Sequence, residues 1–221
     1  MKEESEENLF KYLANTKKLK EMIVDGYEFI NWKIFCEILT KNKSITKMKF
    51  EDYVMVEENK IIELINSLKK VKNLESVFLK NVRMYDLVAS SFQELFETNK
   101  KIKEFFLFSV PVTENQLQKI CGGIKNSSSI QTVFLIGNNI GDQGAFFISD
   151  LIKSNPSFKS LCVSENDIHD LGIFSICDSL SFHSSLDSFD ISFNYPSVKG
   201  VQHISSMLSN NKTITELLTF F

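Results

Sequence analysis

Residues 130–157 read IQTVFLIGNNIGDQGAFFISDLIKSNPS, and the spacing of apolar side chains within that stretch decides the fold. Ile130, Val133, Leu135 and Ile140 fall at x-spacings 2, 1 and 4, with Asn138 between the last two. The alternation at Val133 and Leu135 is that of a strand with one buried face. After the turn residues Gly137, Asn138 and Asn139, the apolar residues Phe147, Ile148, Leu151 and Ile152 recur at i, i+1, i+4 and i+5. That is the stripe of a helix lying on an apolar surface. The stretch therefore predicts a short strand followed by a helix.

The same pattern recurs along the whole chain. Its first apolar position falls at Leu19, Ile45, Leu74, Ile102, Ile130, Phe158, Leu186 and Ile214, so the intervals are 26, 29 and then 28 residues. The fourth and sixth positions of the seven full copies are Met22/Val24, Met48/Phe50, Val77/Leu79, Phe105/Leu107, Val133/Leu135, Leu161/Val163 and Phe189/Ile191. None is polar, and chance does not hold a register across seven copies. The spacing L-x-x-L-x-L-x-x-N-x-L marks leucine-rich repeats. The expected fold is an α/β solenoid, a curved horseshoe with a parallel sheet on its concave face and helices on its convex face. Residues 1–221 read as one domain, since each unit of a solenoid packs only on its neighbours. Residues 1–18 read as a half-repeat and polar cap with Leu9, Tyr12 and Leu13 on its buried face, and the eighth copy, ITELLTFF, stops inside its strand. An end without a covering helix is expected to self-associate, dock or fray.

The copies are not equally regular. At the ninth position Tyr27, Tyr53, Val82 and Val110 give way to Asn138, Asn166 and Asn194, whose amides are expected to turn inward and bond backbone groups freed where the strand bends away. Gly144, Gly172 and Gly200 recur fourteen residues past their repeat starts, where the earlier copies carry Lys33, Asn59, Val88 and Gln116. Asp142 and Asp170 stand where a helix start favours an anion, and Thr113-Glu114-Asn115-Gln116 has the spacing of a capping box. Lysines (Lys17, Lys18, Lys20; Lys41, Lys43, Lys47; Lys69, Lys70, Lys72; Lys100, Lys101, Lys103) gather at expected helix C-termini, where cations offset the helix dipole.

Composition excludes several function classes. A net charge of −3 over 221 residues points neither to nucleic acid nor to an acidic tail, and no run approaches the roughly 18 apolar residues of a membrane span. The first residues, MKEESEEN, lack the basic start and apolar run of a signal peptide, and Cys36, Cys121, Cys162 and Cys177 show no C-x-x-C spacing. The expectation is a cytoplasmic protein with free thiols, in which the Asn-x-Ser/Thr triplets at Asn42, Asn126 and Asn211 are coincidental. His169, His183 and His203 lie in separate copies without metal-ligand spacing, and Cys121-Gly122-Gly123 lacks the Gly-Lys-Ser/Thr ending of a phosphate loop. No cofactor, metal site or catalytic group is expected, and the chain does not read as an enzyme.

The 28-residue spacing and the run Gly172-Ile-Phe-Ser-Ile176-Cys177-Asp-Ser-Leu180 resemble the ribonuclease-inhibitor-like class of leucine-rich repeats, whose helix consensus is G-x-x-x-L-C-x-x-L. Cys121 occupies the same slot as Cys177. The resemblance covers essentially the whole chain and departs from the class in the missing Asn and Gly of the first half. It implies a protein-binding function with no particular ligand, because members range from inhibitors to GTPase activators and actin regulators. The alternative it carries is a regulator of that kind.

On the concave side the fifth strand position reads Ile23, Lys49, Phe78, Phe106, Phe134, Cys162, Asp190, and the seventh reads Asp25, Glu51, Lys80, Phe108, Ile136, Ser164, Ser192. An apolar patch of Phe78, Phe106, Phe108, Phe134 and Ile136, with the Cys162 thiol beside it and polar residues at both ends, is the expected partner-binding surface.

Overall fold

A computed structural model describes residues 2–25, 31–52 and 57–221. Helix and strand alternate throughout: α1 (Lys2–Asn15), β1 (Glu21–Asp25), α2 (Trp32–Lys41), β2 (Lys47–Glu51), α3 (Glu58–Leu68), β3 (Ser76–Lys80), α4 (Asp86–Thr98), β4 (Glu104–Phe108), α5 (Glu114–Lys125), β5 (Thr132–Ile136), α6 (Gly141–Ser154), β6 (Ser160–Cys162), α7 (Asp170–Leu180), β7 (Ser188–Asp190), α8 (Val198–Asn210) and β8 (Glu216–Leu218). The strands form one open parallel sheet in the order β1 to β8, and each starts two residues after its repeat start. Helices likewise pack on the next helix in sequence, α4 on α5 and α6 on α7 most closely.

Sequence alternation explains which face is buried. Val77, Phe105, Leu107, Val133, Leu135, Leu161 and Phe189 point from the strands into one continuous core, where they meet Phe92, Phe96, Ile120, Ile148 and Ile176 from the helices. Phe105 is fully buried between Phe96, 4.9 Å away edge-on, and Phe92, 5.8 Å away. Cys36, Cys121 and Cys177 lie in this helix layer, as expected, and burial pushes their thiols up to about 11, 12 and 12.

Strands β2 to β7 each lead into a left-handed residue at the eighth repeat position: Asp52, Asn81, Ser109, Gly137, Glu165 and Phe193 all have φ between 51° and 67°. The turn keeps the sheet going, because each of these N–H groups donates to the seventh-position carbonyl of the next copy, as Ser109 does to Ile136 at 2.9 Å.

The Asn ladder forms as the sequence leads one to expect. Asn138 Oδ1 accepts from the Val110 N–H at 2.9 Å, Asn166 Oδ1 from the Asn138 N–H at 2.9 Å, and Asn194 Oδ1 from the Asn166 N–H at 3.1 Å. Their Nδ2 groups donate to Leu107, Leu135 and Val163 carbonyls one copy back. Tyr27 and Tyr53, the corresponding residues of the first two copies, lie outside the described residues.

Three expectations need correction. The N-terminal helix starts at Lys2, and its buried face is Glu6, Phe10 and Leu13, while Leu9 and Tyr12 are exposed. Spacing i, i+4, i+7 wins because the Glu6 carboxylate accepts from the Asn31 N–H at 3.2 Å, at the start of α2. The lysine series mostly follows its helices: only Lys41 of that series stands in a helix's last turn. Several instead pair with acids of adjacent copies, Lys69 with Glu94 at 2.5 Å and Lys103 with Glu75 at 3.1 Å.

The triplets at Asn42 and Asn211 are architectural. Asn42 Oδ1 accepts from the Ser44 and Ile45 N–H groups at 2.7 and 2.9 Å, and Asn211 Oδ1 from Thr213 and Ile214 at 2.8 and 2.9 Å. Asp142 and Asp170 stand in the first turns of α6 and α7, as expected, and in addition accept from the starts of the following helices, Asp142 Oδ1 from the His169 and Gly172 N–H groups at 2.7 and 3.0 Å.

Candidate protein interface on the concave sheet

Strand register brings the expected site residues together. Phe78, Phe106, Phe134 and Cys162 are successive partners across β3 to β6, and Lys80, Phe108 and Ile136 are successive partners across β3 to β5. The rings touch one another. Phe78 stacks on Phe108 at 5.0 Å, tilts against Phe106 at 6.1 Å, and Phe106 meets Phe134 edge-on at 5.2 Å. All four, with Ile136, are half-buried, because each covers part of its neighbour while the concave side stays open. Such ring pairs contribute about 0.5–1.5 kcal/mol beyond their burial, so the patch is ordered before anything docks on it.

Cys162 departs from the expectation of an exposed thiol. It is on the concave side in register with Phe134 and Asp190, yet only 2% exposed. A small side chain between larger neighbours sinks below them. Its Sγ lies 3.3 Å from Ser164 Oγ and donates to Asp190 Oδ2 at 3.2 Å, and burial pushes the thiol up to about 12, with the Asp190 charge adding to the rise. It is a buried polar contact and offers little surface to a partner.

The patch has charged ends. At one side Lys49 Nζ sits 5.7 Å from the Phe78 ring centre and 2.6 Å from Glu21 Oε1; that hydrogen bond and charge hold the Glu21 carboxyl below the usual value. Lys47 reaches Glu104 at 3.4 Å along the neighbouring row. At the other side Asp190 Oδ1 accepts from the Ser192 N–H at 2.9 Å. The surface is thus an apolar centre with a polar border. Among the described residues no group of three His, Cys, Asp or Glu is placed to hold a metal ion, and no helix is long and apolar enough to cross a membrane.

Two sets of positioning residues escape a reading of the strands alone. Asn42, Asn99, Asn155 and Asn211 stand three residues before a repeat start, are buried, and tie each helix end to the copy before it. Their recurrence at that offset is a visible signal. The carboxylates of Asp86, Asp142 and Asp170 serve the same purpose at the other rim. Gln116 Nε2 donates to Asp86 at 2.8 Å where Gly172 and Gly200 use backbone N–H groups.

No family model matches this chain, and no curated protein does. Solved structures do match. A tropomodulin C-terminal domain from Caenorhabditis elegans superimposes with a TM-score of 0.50, covering 92% of this chain and 91% of that one at 17% identity. A protein from Bacteroides fragilis gives 0.56, covering 98% and 71% at 13% identity. The leiomodin-1 actin-binding site 2 gives 0.50, covering 59% and 78% at 20% identity. At such identities the likeness is one of fold. Together with the single open sheet of parallel strands, it defines the chain as a leucine-rich-repeat-like α/β solenoid.

Proposed function

We propose that this chain is a protein-binding solenoid of the ribonuclease-inhibitor-like class that holds its partner on the concave aromatic patch. One observation carries the reading: Phe78, Phe106, Phe108 and Phe134, with Ile136, form a contiguous half-exposed surface on a rigid sheet, bordered by Lys49 and Glu21 at one end and Asp190 at the other. Apolar anchors at the centre of an interface carry most of its binding energy, and their borders exclude water. The role is that of a scaffold or adaptor acting without cofactor, metal, nucleic acid or membrane, and the four buried reduced thiols suit a cytoplasmic setting. The test is capture from native cytosol by wild type and by a Phe106→Asp, Phe134→Asp double variant. A dominant captured protein retained in full by the double variant places the binding surface elsewhere.

A second reading is favoured by two of the structural likenesses. Tropomodulin and the leiomodin-1 actin-binding site share the fold, so within the alternative of a regulator, actin is a better first partner than a small GTPase. Co-sedimentation with actin filaments and an assembly assay decide it: no binding and no change in assembly at tens of micromolar protein ends that reading, where Kd values of about 1 μM correspond to roughly 8 kcal/mol.

A further inference from the structure

Beyond the concave patch, at the rim where strands hand over to helices, the eighth and tenth positions of three successive copies are Gly137/Asn139, Glu165/Asp167 and Phe193/Tyr195. These six residues line an open cleft. Both carboxylates are exposed, and among the described residues neither takes part in an ion pair. Phe193 and Tyr195 are 59% and 63% exposed, so each ring leaves much of its surface open, although Phe193 also stacks on Phe220 at 6.3 Å. Tyr195 is steadied by stacking on His169 at 5.6 Å, whose ring Nδ1 lies 3.0 Å from the Asp167 carbonyl. On the other flank Gly137 has no side chain; a Cβ there would stand 3.6 Å from Ser109 Oγ and 3.9 Å from Glu165 Oε2, so the space beside the carboxylate is kept open.

We propose that this cleft seats an arginine side chain of a partner protein. Charge complementarity is the first argument. The concave positions Thr132, Phe134, Ile136, Ser160, Cys162, Ser164, Ser188, Asp190 and Ser192 include no lysine or arginine, in contrast to Lys47, Lys49 and Lys80 of the earlier strands, so the carboxylates of Glu165 and Asp167 stand beside strands that carry acidic but no basic side chains at these positions. Shape and chemistry are the second. Two acceptors beside exposed aromatic faces suit a planar, weakly hydrated cation that can bond carboxylate through its fork and stack through its plane; a compact ammonium stays better hydrated and gains less. Among the described residues no group of three His, Cys, Asp or Glu that could hold a metal ion gathers here. Continuity is the third, since Ile136, Ser164 and Ser192 of the concave row are each followed in sequence by a residue of the cleft.

The site is independent of the concave-patch reading and is tested without a natural partner. Amide shifts are followed by NMR while N-acetyl-arginine amide, N-acetyl-lysine amide or the neutral isostere N-acetyl-citrulline amide is added to the whole chain. The arginine probe is expected to move the amides of Gly137, Asn139, Glu165 and Asp167 with Kd on the order of millimolar. It should bind about fivefold or more tightly than the lysine probe, and citrulline should leave the cleft unmoved. A Glu165→Gln, Asp167→Asn variant should lose the response and Tyr195→Ala should weaken it severalfold, both with an unchanged far-ultraviolet spectrum. The Phe106→Asp, Phe134→Asp variant should respond like wild type, which separates failure here from failure of the concave reading. Equal shifts with citrulline, parity of lysine with arginine, or a response that survives Glu165→Gln, Asp167→Asn overturns the proposal.

Discussion

Asp170 accepts from Gly200: the N–H of Gly200, at the start of α8, lies 3.0 Å from Oδ1 of Asp170, the first residue of α7. The same oxygen accepts from the Ser197 N–H at 2.8 Å, and Oδ2 accepts from Ser197 Oγ at 2.5 Å. The starts of α7 and α8 are therefore each capped by a carboxylate from the copy before, Asp142 and Asp170, and Gly172 and Gly200 leave room for it.

Gly172→Ala tests the room. Alanine is ordinarily the better helix residue by about 1 kcal/mol. Here its Cβ would stand 2.6 Å from Ile168 Cγ2, 2.7 Å from Asp142 Oδ1 and 2.8 Å from Ala145 Cβ. The expected result in urea unfolding is a loss of about 1–3 kcal/mol; a gain would show that the helices part freely.

Acid should loosen the same junction. The hydrogen bond from the Ser197 side chain, then those from the Ser197 and Gly200 backbone, hold the Asp170 carboxyl below its usual 3.8. A lowered folded-state value means stabilisation that is complete above the unfolded value near 3.8 and is lost as pH falls through the folded one. Wild type should thus lose more stability than Asp170→Asn between pH 5 and about pH 2. Parallel pH curves would show the carboxylate contributing nothing.

Asn166→Ala removes a rung whose Oδ1 serves the Asn138 N–H and whose Nδ2 serves the Leu135 and Ser164 carbonyls, all buried. The expected cost is about 1–3 kcal/mol. Asn42→Ala, which strips the Ser44 and Ile45 N–H groups of their acceptor, should cost a similar amount. Chemical denaturation of the two variants gives both numbers, and a neutral Asn166→Ala refutes the ladder.

Phe105 and Phe106 are neighbours in sequence with opposite fates. Phe105→Ala should cost about 3–5 kcal/mol, since the ring is fully enclosed by Phe92 and Phe96. Phe106→Asp, losing half-exposed contacts with Phe78 and Phe134, should cost only about 1–2 kcal/mol. Thermal melts that reverse this order would place Phe106 in the core.

Thiol labelling reads the four cysteines. Burial holds Cys121, Cys162 and Cys177 near 12 and Cys36 near 11, so at pH 8 alkylation of the folded chain should be slower than of the unfolded chain by at least about a hundredfold. Fast labelling of Cys162 alone would show that its cover above the concave sheet opens.

The sequence alone determined the solenoid, because a strand and a helix that cannot bury their apolar faces singly must repeat in register, and Val133, Leu135, Ile148 and Leu151 state that period plainly. It also determined the three-rung ladder and the row of Phe78, Phe106 and Phe134, since alternation along a strand fixes which side each residue faces. Only the tertiary structure decided what passes between copies. Whether Asp170 caps its own helix or the next, whether Asn42 is a coincidence or a tie, and whether Cys162 stands above or below its neighbours depend on distances between residues about 28 positions apart. One-dimensional spacing lists those residues, but the depth of a small side chain between two large ones and the path of a carboxylate toward a neighbouring N–H are set by packing in the assembled stack.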